Sequence, residues 1–237
     1  MENIFKFFLF SSILVILIGC EKQTMQISCD EILEQAYEES PLNNFEKNKF
    51  KDLFLNRYPE FDLMFEEAAQ ETGIEKNLLA AISFQESQWD PRAQSNMGVR
   101  GMMMVTLETA ALVGVEKRLN PEQNIKGGAK YFAMLKEKNI VGQTDADQLS
   151  TVLASYNLGP TNIIKIANQI NSDIQTVTWL EIREKLKVIK GSELDLVDRE
   201  SYSRGQQAID YVDRVKSYYQ LLSAHSCIAP KDQLIFF

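Results

Sequence analysis

The sequence predicts a mostly α fold: one compact helical domain behind a short tether. Two observations predict it. Apolar residues recur at spacings of three, four and seven along most of the chain, as on one face of a helix, and no stretch alternates convincingly between apolar and polar. Helix starts and stops are also written in the punctuation. Asn120-Pro121-Glu122-Gln123 supplies a cap, a proline at the first helical position and a glutamine three after the cap, while Gly73, Gly114 and Gly159-Pro160 close periodic segments.

The 237 residues suffice for one large or two small domains. A formal net charge of -8 argues against a nucleic-acid or anionic-membrane binder held by basic patches, and says little about a neutral sugar substrate.

The first twenty residues differ from the rest. Lys6 precedes an apolar run from Phe7 to Ile18, interrupted only by Ser11 and Ser12, and then comes Leu17-Ile18-Gly19-Cys20. A short apolar segment before a small residue is a secretory signal rather than a spanning helix. The last four residues resemble the bacterial lipobox, whose cysteine is acylated and becomes the mature N-terminus. The expectation is a lipoprotein signal peptide over 1–19 and a lipidated tether over 20–28, with Cys20 carrying the lipid. An uncleaved anchor is the alternative, and both place the body outside the cytoplasm at a membrane. Each buried CH₂ of an acyl chain adds about 0.8 kcal/mol, so several chains on one cysteine anchor stably. Glu21 is not the aspartate associated with inner-membrane retention in enteric bacteria, which favours the outer membrane for this periplasmic lipoprotein.

Two cysteines remain, Cys29 and Cys227, near the two ends of the mature chain. An oxidising compartment favours a disulfide between them, and two unpaired buried thiols are the alternative. A bridge closing so long a loop contributes about 5 kcal/mol on chain-entropy grounds.

Past the tether, a helix is expected over 30–40, with Ile32, Leu33, Ala36 and Tyr37 on one face and Pro41 ending it. Residues 50–58 and 61–72 read as two more, the second closed by Gly73 as a C-cap. The next runs over about 75–88. Residues 90–101 are a loop, rich in polar residues with one proline and two glycines. Thr106 caps a short helix to Val113. Ile125, Ala129, Phe132 and Leu135 form the apolar face of the helix that Asn120 starts. Asp145 with Gln148 repeats the start signal for a helix carrying Leu149, Val152, Leu153 and Tyr156. Weaker helices are expected over 161–170 and 176–186, a loop over 190–204, and a clear helix over 205–223. The tail 225–237 ends in Leu234-Ile235-Phe236-Phe237, an apolar end that the sequence does not account for; one placement is against the body near Cys227.

In the helix over 75–88, Leu78, Leu79, Ile82, Gln85, Glu86 and Trp89 share one face, and Pro91 is expected to end it. A carboxylate therefore lies on the buried face at a helix C-terminus. Burial and the negative end of the helix dipole both disfavour its ionised form. Those conditions make a glutamic acid that holds a proton near neutral pH and can donate it. A surface glutamate in a fraying last turn is the alternative from this stretch alone.

Later segments bear on it. Glu86-Ser87 is followed by Gly101-Met102-Met103, then by Tyr156-Asn157-Leu158-Gly159, then by Tyr211 on the last helix. This order resembles the goose-type-lysozyme-like lytic transglycosylases of glycoside hydrolase family 23. The stretches Phe84-Gln85-Glu86-Ser87-Gln88-Trp89-Asp90-Pro91 and Gly98-Val99-Arg100-Gly101-Met102-Met103-Met104-Val105-Thr106, with Tyr202-Ser203-Arg204-Gly205, resemble its F-type membrane-bound members. The likeness covers about 61–222. Many relatives have glutamine where this chain has Met103, whereas F-type members have methionine. F-type members also carry a long N-terminal domain like a solute-binding protein, and only about forty residues separate Cys20 from the catalytic region here. Regulation by such a domain is expected to be absent or supplied by another protein.

The resemblance implies a single lysozyme-like domain of the soluble lytic transglycosylase type over 60–224, preceded by a helical extension over 29–59 and followed by the tail. It implies peptidoglycan glycan strands as the partner and no cofactor. Glu86 would act first as general acid at the bond between N-acetylmuramic acid and N-acetylglucosamine. It would then act as base toward the muramoyl 6-hydroxyl, closing a 1,6-anhydro ring. No second carboxylate is required, because the substrate's N-acetyl oxygen can support the oxocarbenium-like centre. Asp90, the only nearby acid, reads as a turn residue.

Ser87 would hold Glu86 or bond the substrate, or be a bystander. Tyr156 and Tyr211 would put hydroxyls on the Glu86 carboxyl, or simply pack in the core. Asn157 would bind an N-acetyl or hydroxyl group, or cap its helix before Gly159. Gly101 would let the backbone approach the sugar, and Met102 and Met103 would line the cleft or fill the core. His225 with Cys227 cannot complete a zinc shell, so no metal site is expected. Two other functions stay open: a hydrolytic goose-type lysozyme-like muramidase and an inactive glycan-binding lipoprotein.

Overall fold

A computed structural model describes residues 28–188 and 204–228. Ten α-helices account for most of them: α1 Cys29–Glu39, α2 Asn44–Asn56, α3 Asp62–Thr72, α4 Lys76–Ser87, α5 Leu107–Val113, α6 Pro121–Lys138, α7 Asp145–Leu158, α8 Pro160–Ile170, α9 Trp179–Val188 and α10 Arg204–His225. Among the described residues there is no strand, only two isolated bridges, Gln94 with Arg100 and Arg100 with Val105. None of their helices is long and apolar enough to cross a membrane. The leader with Cys20, most of the loop expected over 190–204 and the apolar tail lie outside the described residues.

Capping chemistry sets several boundaries and moves some from where periodicity puts them. Asn43 and Glu46 form a reciprocal capping box, so α2 begins at Asn44, six residues before the start expected from its apolar face. Thr144 with Asp147, rather than Asp145 with Gln148, starts α7. The segment expected over 176–186 divides into a 3₁₀ turn, Ile174–Thr176, and α9. Thr178 causes the break, because its N–H donates to the Glu181 carboxylate at 2.8 Å and its hydroxyl accepts from the Glu181 N–H.

Helix α10 lies against α1, α4, α7 and α9, and α4 lies against α10 and α3. Every residue of α4 from Asn77 to Phe84 is buried, so its amphipathicity is weak and its stability comes from packing on both sides. The first two helices belong to the same core. Phe50 of α2 is fully buried and stacks on Tyr218 of α10 at 5.6 Å and edge-on to Phe84 of α4 at 5.0 Å. A disulfide joins Cys29 at the start of α1 to Cys227 just past α10, with Cα atoms 5.0 Å apart. His225 stacks on Phe54 at 3.9 Å and its Nε2 lies 3.1 Å from the Tyr37 hydroxyl, and burial pushes its pKa down to about 4. Among the described residues no three His, Cys, Asp or Glu side chains converge as metal ligands.

Candidate active site

Glu86 sits in the last full turn of α4. Proline is not what ends the helix. Gln88 and Trp89 follow with φ of 56° and 58°, two successive non-glycine residues in the left-handed region. Such residues cost roughly 1 to 2 kcal/mol each. The Trp89 ring offsets that cost: it is fully buried and its Nε1–H donates to the Ala80 carbonyl at 2.9 Å. Arg57 donates to the Gln88 carbonyl at 2.9 Å. The helix end is thereby fixed by side chains that reach back over it, and Asp90 takes the turn role, accepting the Arg92 N–H at 2.9 Å.

The Glu86 residue keeps part of its surface exposed, and the surrounding helices still desolvate its carboxyl. Burial pushes the pKa up from 4.5 to about 7, opposed by the hydroxyl of Tyr211. Tyr211 is buried on α10, and its hydroxyl has no hydrogen bond of ordinary geometry among the described residues. It is a donor close enough to bias the carboxyl without being committed to it. Tyr156 is committed elsewhere: its hydroxyl donates to the Met103 carbonyl at 2.8 Å rather than to Glu86. Burial first, and then the charge of Glu86, raise both phenols well above 10, so both stay protonated.

Below the helix end lies the turn 101–104, closed by the Met104 N–H on the Gly101 carbonyl at 3.0 Å. Side chains hold its inner polar groups. Ser87 and Ser83 both donate to the Met102 carbonyl, at 2.8 and 3.1 Å. The Met103 N–H donates to Asn124 Oδ1 at 2.7 Å, while Asn124 Nδ2 donates to the Arg100 and Arg118 carbonyls at 2.9 and 2.8 Å. Gly101 has φ of +79°, and a Cβ there would collide with the Arg118 carbonyl and the Asn124 amide.

These contacts change several expected roles. Ser87 bonds the turn and not Glu86. Gly101 is required by Asn124 packed against it, which explains the glycine without a sugar. Met102 and Met103 are fully buried, so their side chains fill core rather than line a cleft. Met104, with φ of 47°, faces the groove instead.

That groove encloses about 460 Å³, with Met104, Leu112, Tyr131, Tyr156, Asn157 and Thr161 among its walls. The Tyr131 and Tyr156 rings are 5.6 Å apart. Asn157 does not cap α7, which ends on the Gly159 N–H donating to the Ser155 carbonyl. Its Oδ1 is buried with no hydrogen-bond partner among the described residues, an acceptor on the groove wall.

Asn124 and Ser83 are the site residues that periodicity does not reveal. The available signal is Gly127-Gly128 inside α6, since two interior glycines cost about 1 kcal/mol each and mark a close approach. A Cβ on Gly128 would meet Met103.

Residues 63–177 match the family described as the Transglycosylase SLT domain, a span that holds Glu86, the turn and Asn157. The chain belongs to the SLT-type lytic transglycosylase family. Tyr211 lies beyond the matched span. Among its relatives, membrane-bound lytic murein transglycosylase F 1 of Alkalilimnicola ehrlichii is 41% identical over 170 residues, which is 70% of this chain and 34% of that protein. Membrane-bound lytic murein transglycosylase F of Hahella chejuensis is 36% identical over 172 residues, 70% of this chain and 33% of that one. The chain thus spans about a third of the length of these curated relatives. Two solved structures share the SLT fold. An inactive mutant of the lytic transglycosylase Slt from Pseudomonas aeruginosa superposes with a TM-score of 0.52 at 17% identity, over 86% of this chain and 32% of that one. The 70 kDa soluble lytic transglycosylase from Escherichia coli gives 0.52 at 16%, over 90% and 34%. At these identities the likeness shows the fold alone.

Proposed function

We propose that the protein is a peptidoglycan lytic transglycosylase with Glu86 as its single acid and base. The observation that carries this reading is the buried Glu86 carboxyl, held near a pKa of 7 at the end of α4. At neutral pH a large share of such a group is protonated and able to donate, and the donation itself makes the carboxylate that then serves as base.

The protonated carboxyl gives its proton to the β-1,4 glycosidic oxygen as the bond to the muramoyl C1 breaks. The electron pair of that bond leaves with the N-acetylglucosamine oxygen, which departs as a hydroxyl. The acetamido oxygen of the muramoyl residue supports the electron-poor C1. The Glu86 carboxylate then removes the proton of the 6-hydroxyl as O6 bonds to C1, which closes the 1,6-anhydro ring and restores the acid. No water is consumed. The Tyr211 hydroxyl, free to donate, stabilises the carboxylate between the two steps. The Asn157 Oδ1 accepts from an acetamido N–H or a sugar hydroxyl in the groove. Ser87, Ser83, Asn124 and Tyr156 position the turn on which the reacting sugar rests.

The proposal extends to location: a periplasmic lipoprotein anchored through Cys20, with the outer membrane favoured by Glu21.

Digestion of purified peptidoglycan followed by mass spectrometry tests the reaction. The expected fragments end in anhydro-muramoyl residues, lighter than reducing ends by one water. Reducing ends would replace the transglycosylase by a hydrolase, and no release would remove the enzyme.

A further inference from the structure

A second concavity of about 300 Å³ lies on another side of the same helix end, where α2 meets α4 and α10. Its walls carry Phe45 and Lys49 of α2, Gln85 and Gln88 beside Glu86, and Arg214 and Tyr218 of α10. Phe45 is 74% exposed, unusual for a ring that size, and the Lys49 ammonium lies 6.0 Å from its centroid. Lys49 makes no ion pair among the described residues, and Arg214 pairs with Glu46 at 3.1 Å. The local balance is therefore two cations against one anion, on a chain whose net charge is -8.

An open aromatic face, two primary amides and an unshared ammonium suit a peptide that ends in carboxylate. The ring covers its apolar part, the amides pair with its backbone groups, and the cations hold the carboxylate. Such a peptide hangs from the muramoyl sugar of peptidoglycan. A helix with its side chains is about 10–12 Å across, so a concavity walled by Gln85 and Gln88 lies within about that distance of Glu86. Four extended residues span about 13 Å, enough to reach it from a sugar held at Glu86.

We infer that this concavity is a subsite for the carboxylate-bearing peptide of the substrate, contributed in part by α2, which lies outside the matched family span. The inference rests on the proposed action on peptidoglycan. The subsite makes the enzyme favour glycan that still carries its peptides.

Binding tests this separately from turnover. A soluble anhydro-disaccharide carrying its acidic peptide, and the same disaccharide without it, are titrated into the protein bearing Glu86→Gln, with Kd read by calorimetry. The peptide is expected to tighten binding roughly tenfold, the contribution of about one charge-assisted hydrogen bond. Adding Lys49→Gln or Phe45→Ala, both at partly or largely exposed positions, is expected to bring the two ligands to parity. Equal affinity in the parent protein, or a preference that survives both substitutions, overturns the subsite. A preference that disappears with Lys49→Gln supports it even if peptidoglycan digestion fails, in which case only the proposed reaction falls.

Discussion

The Ser87 hydroxyl donates to the Met102 carbonyl at 2.8 Å, one residue beyond Glu86. The end of α4 and the turn 101–104 are thereby one unit, which Ser83, Asn124 and Tyr156 complete from three other points. The placing of Glu86 against that turn then depends on Ser83, Ser87, Asn124 and Tyr156 together.

Asn124 carries most of that dependence. It is fully buried and serves one donor and two acceptors. Asn124→Leu leaves the Met103 N–H and the Arg118 carbonyl without partners, at about 1–3 kcal/mol each, while the Arg100 carbonyl keeps the Val105 N–H at 2.9 Å. The expected result in urea unfolding is a loss of at least about 2 kcal/mol, with turnover falling alongside it. Ser87→Ala, whose acceptor retains Ser83, is expected to lose only about 1 kcal/mol.

The raised pKa of Glu86 makes stability depend on pH in a stated direction. The folded-state value, about 7, exceeds the 4.5 of the unfolded chain. The folded protein therefore binds the proton more tightly. Its advantage is complete below pH 4.5 and is lost as pH rises through 7, up to about 3 kcal/mol. Glu86→Gln removes this titration. Wild type and variant compared by denaturant unfolding are expected to converge at pH 4 and to separate above pH 7, with the variant more stable. A constant difference across that range would contradict a buried, proton-holding Glu86.

The disulfide spans a sequence separation of 198 residues and clamps the start of α1 to the end of α10, the helix that carries Tyr211. A loop that long contributes about 5 kcal/mol in the chain-entropy account, with engineered bridges usually giving less. Cys29→Ser is expected to lower the thermal midpoint by at least several degrees. A thiol count on the denatured, unreduced protein is expected to find neither Cys29 nor Cys227 reactive.

Local signals carried much of this site. Glu86 on an apolar face was legible because periodicity is a property of neighbouring residues, whereas Pro91 pointed to a helix end that Gln88 and Trp89 in fact make. The helix order was legible for the same reason, and the start of α2 lay in the Asn43 and Glu46 pair three residues apart. What the Tyr156 hydroxyl bonds was not legible, because its partner is 53 positions away and only the packing of α7 on the turn decides between Met103 and Glu86. Asn124 was hidden as well: a polar residue beside an apolar helix face reads as solvent-facing until residues 100–118 fold over it. The left-handed Gln88 and Trp89 carry no glycine to announce them, and the burial of the Trp89 ring is what makes that backbone tolerable.

The most direct test of the account is turnover of purified peptidoglycan by Glu86→Gln beside wild type, at neutral pH, with unfolding monitored on the same samples. Loss of the general acid and base predicts a fall on the order of 10²- to 10⁴-fold in anhydro-muramoyl product, with a cooperative unfolding transition retained. A folded variant that keeps turnover within a factor of about two would contradict the assignment of Glu86, and with it the reaction built on that residue.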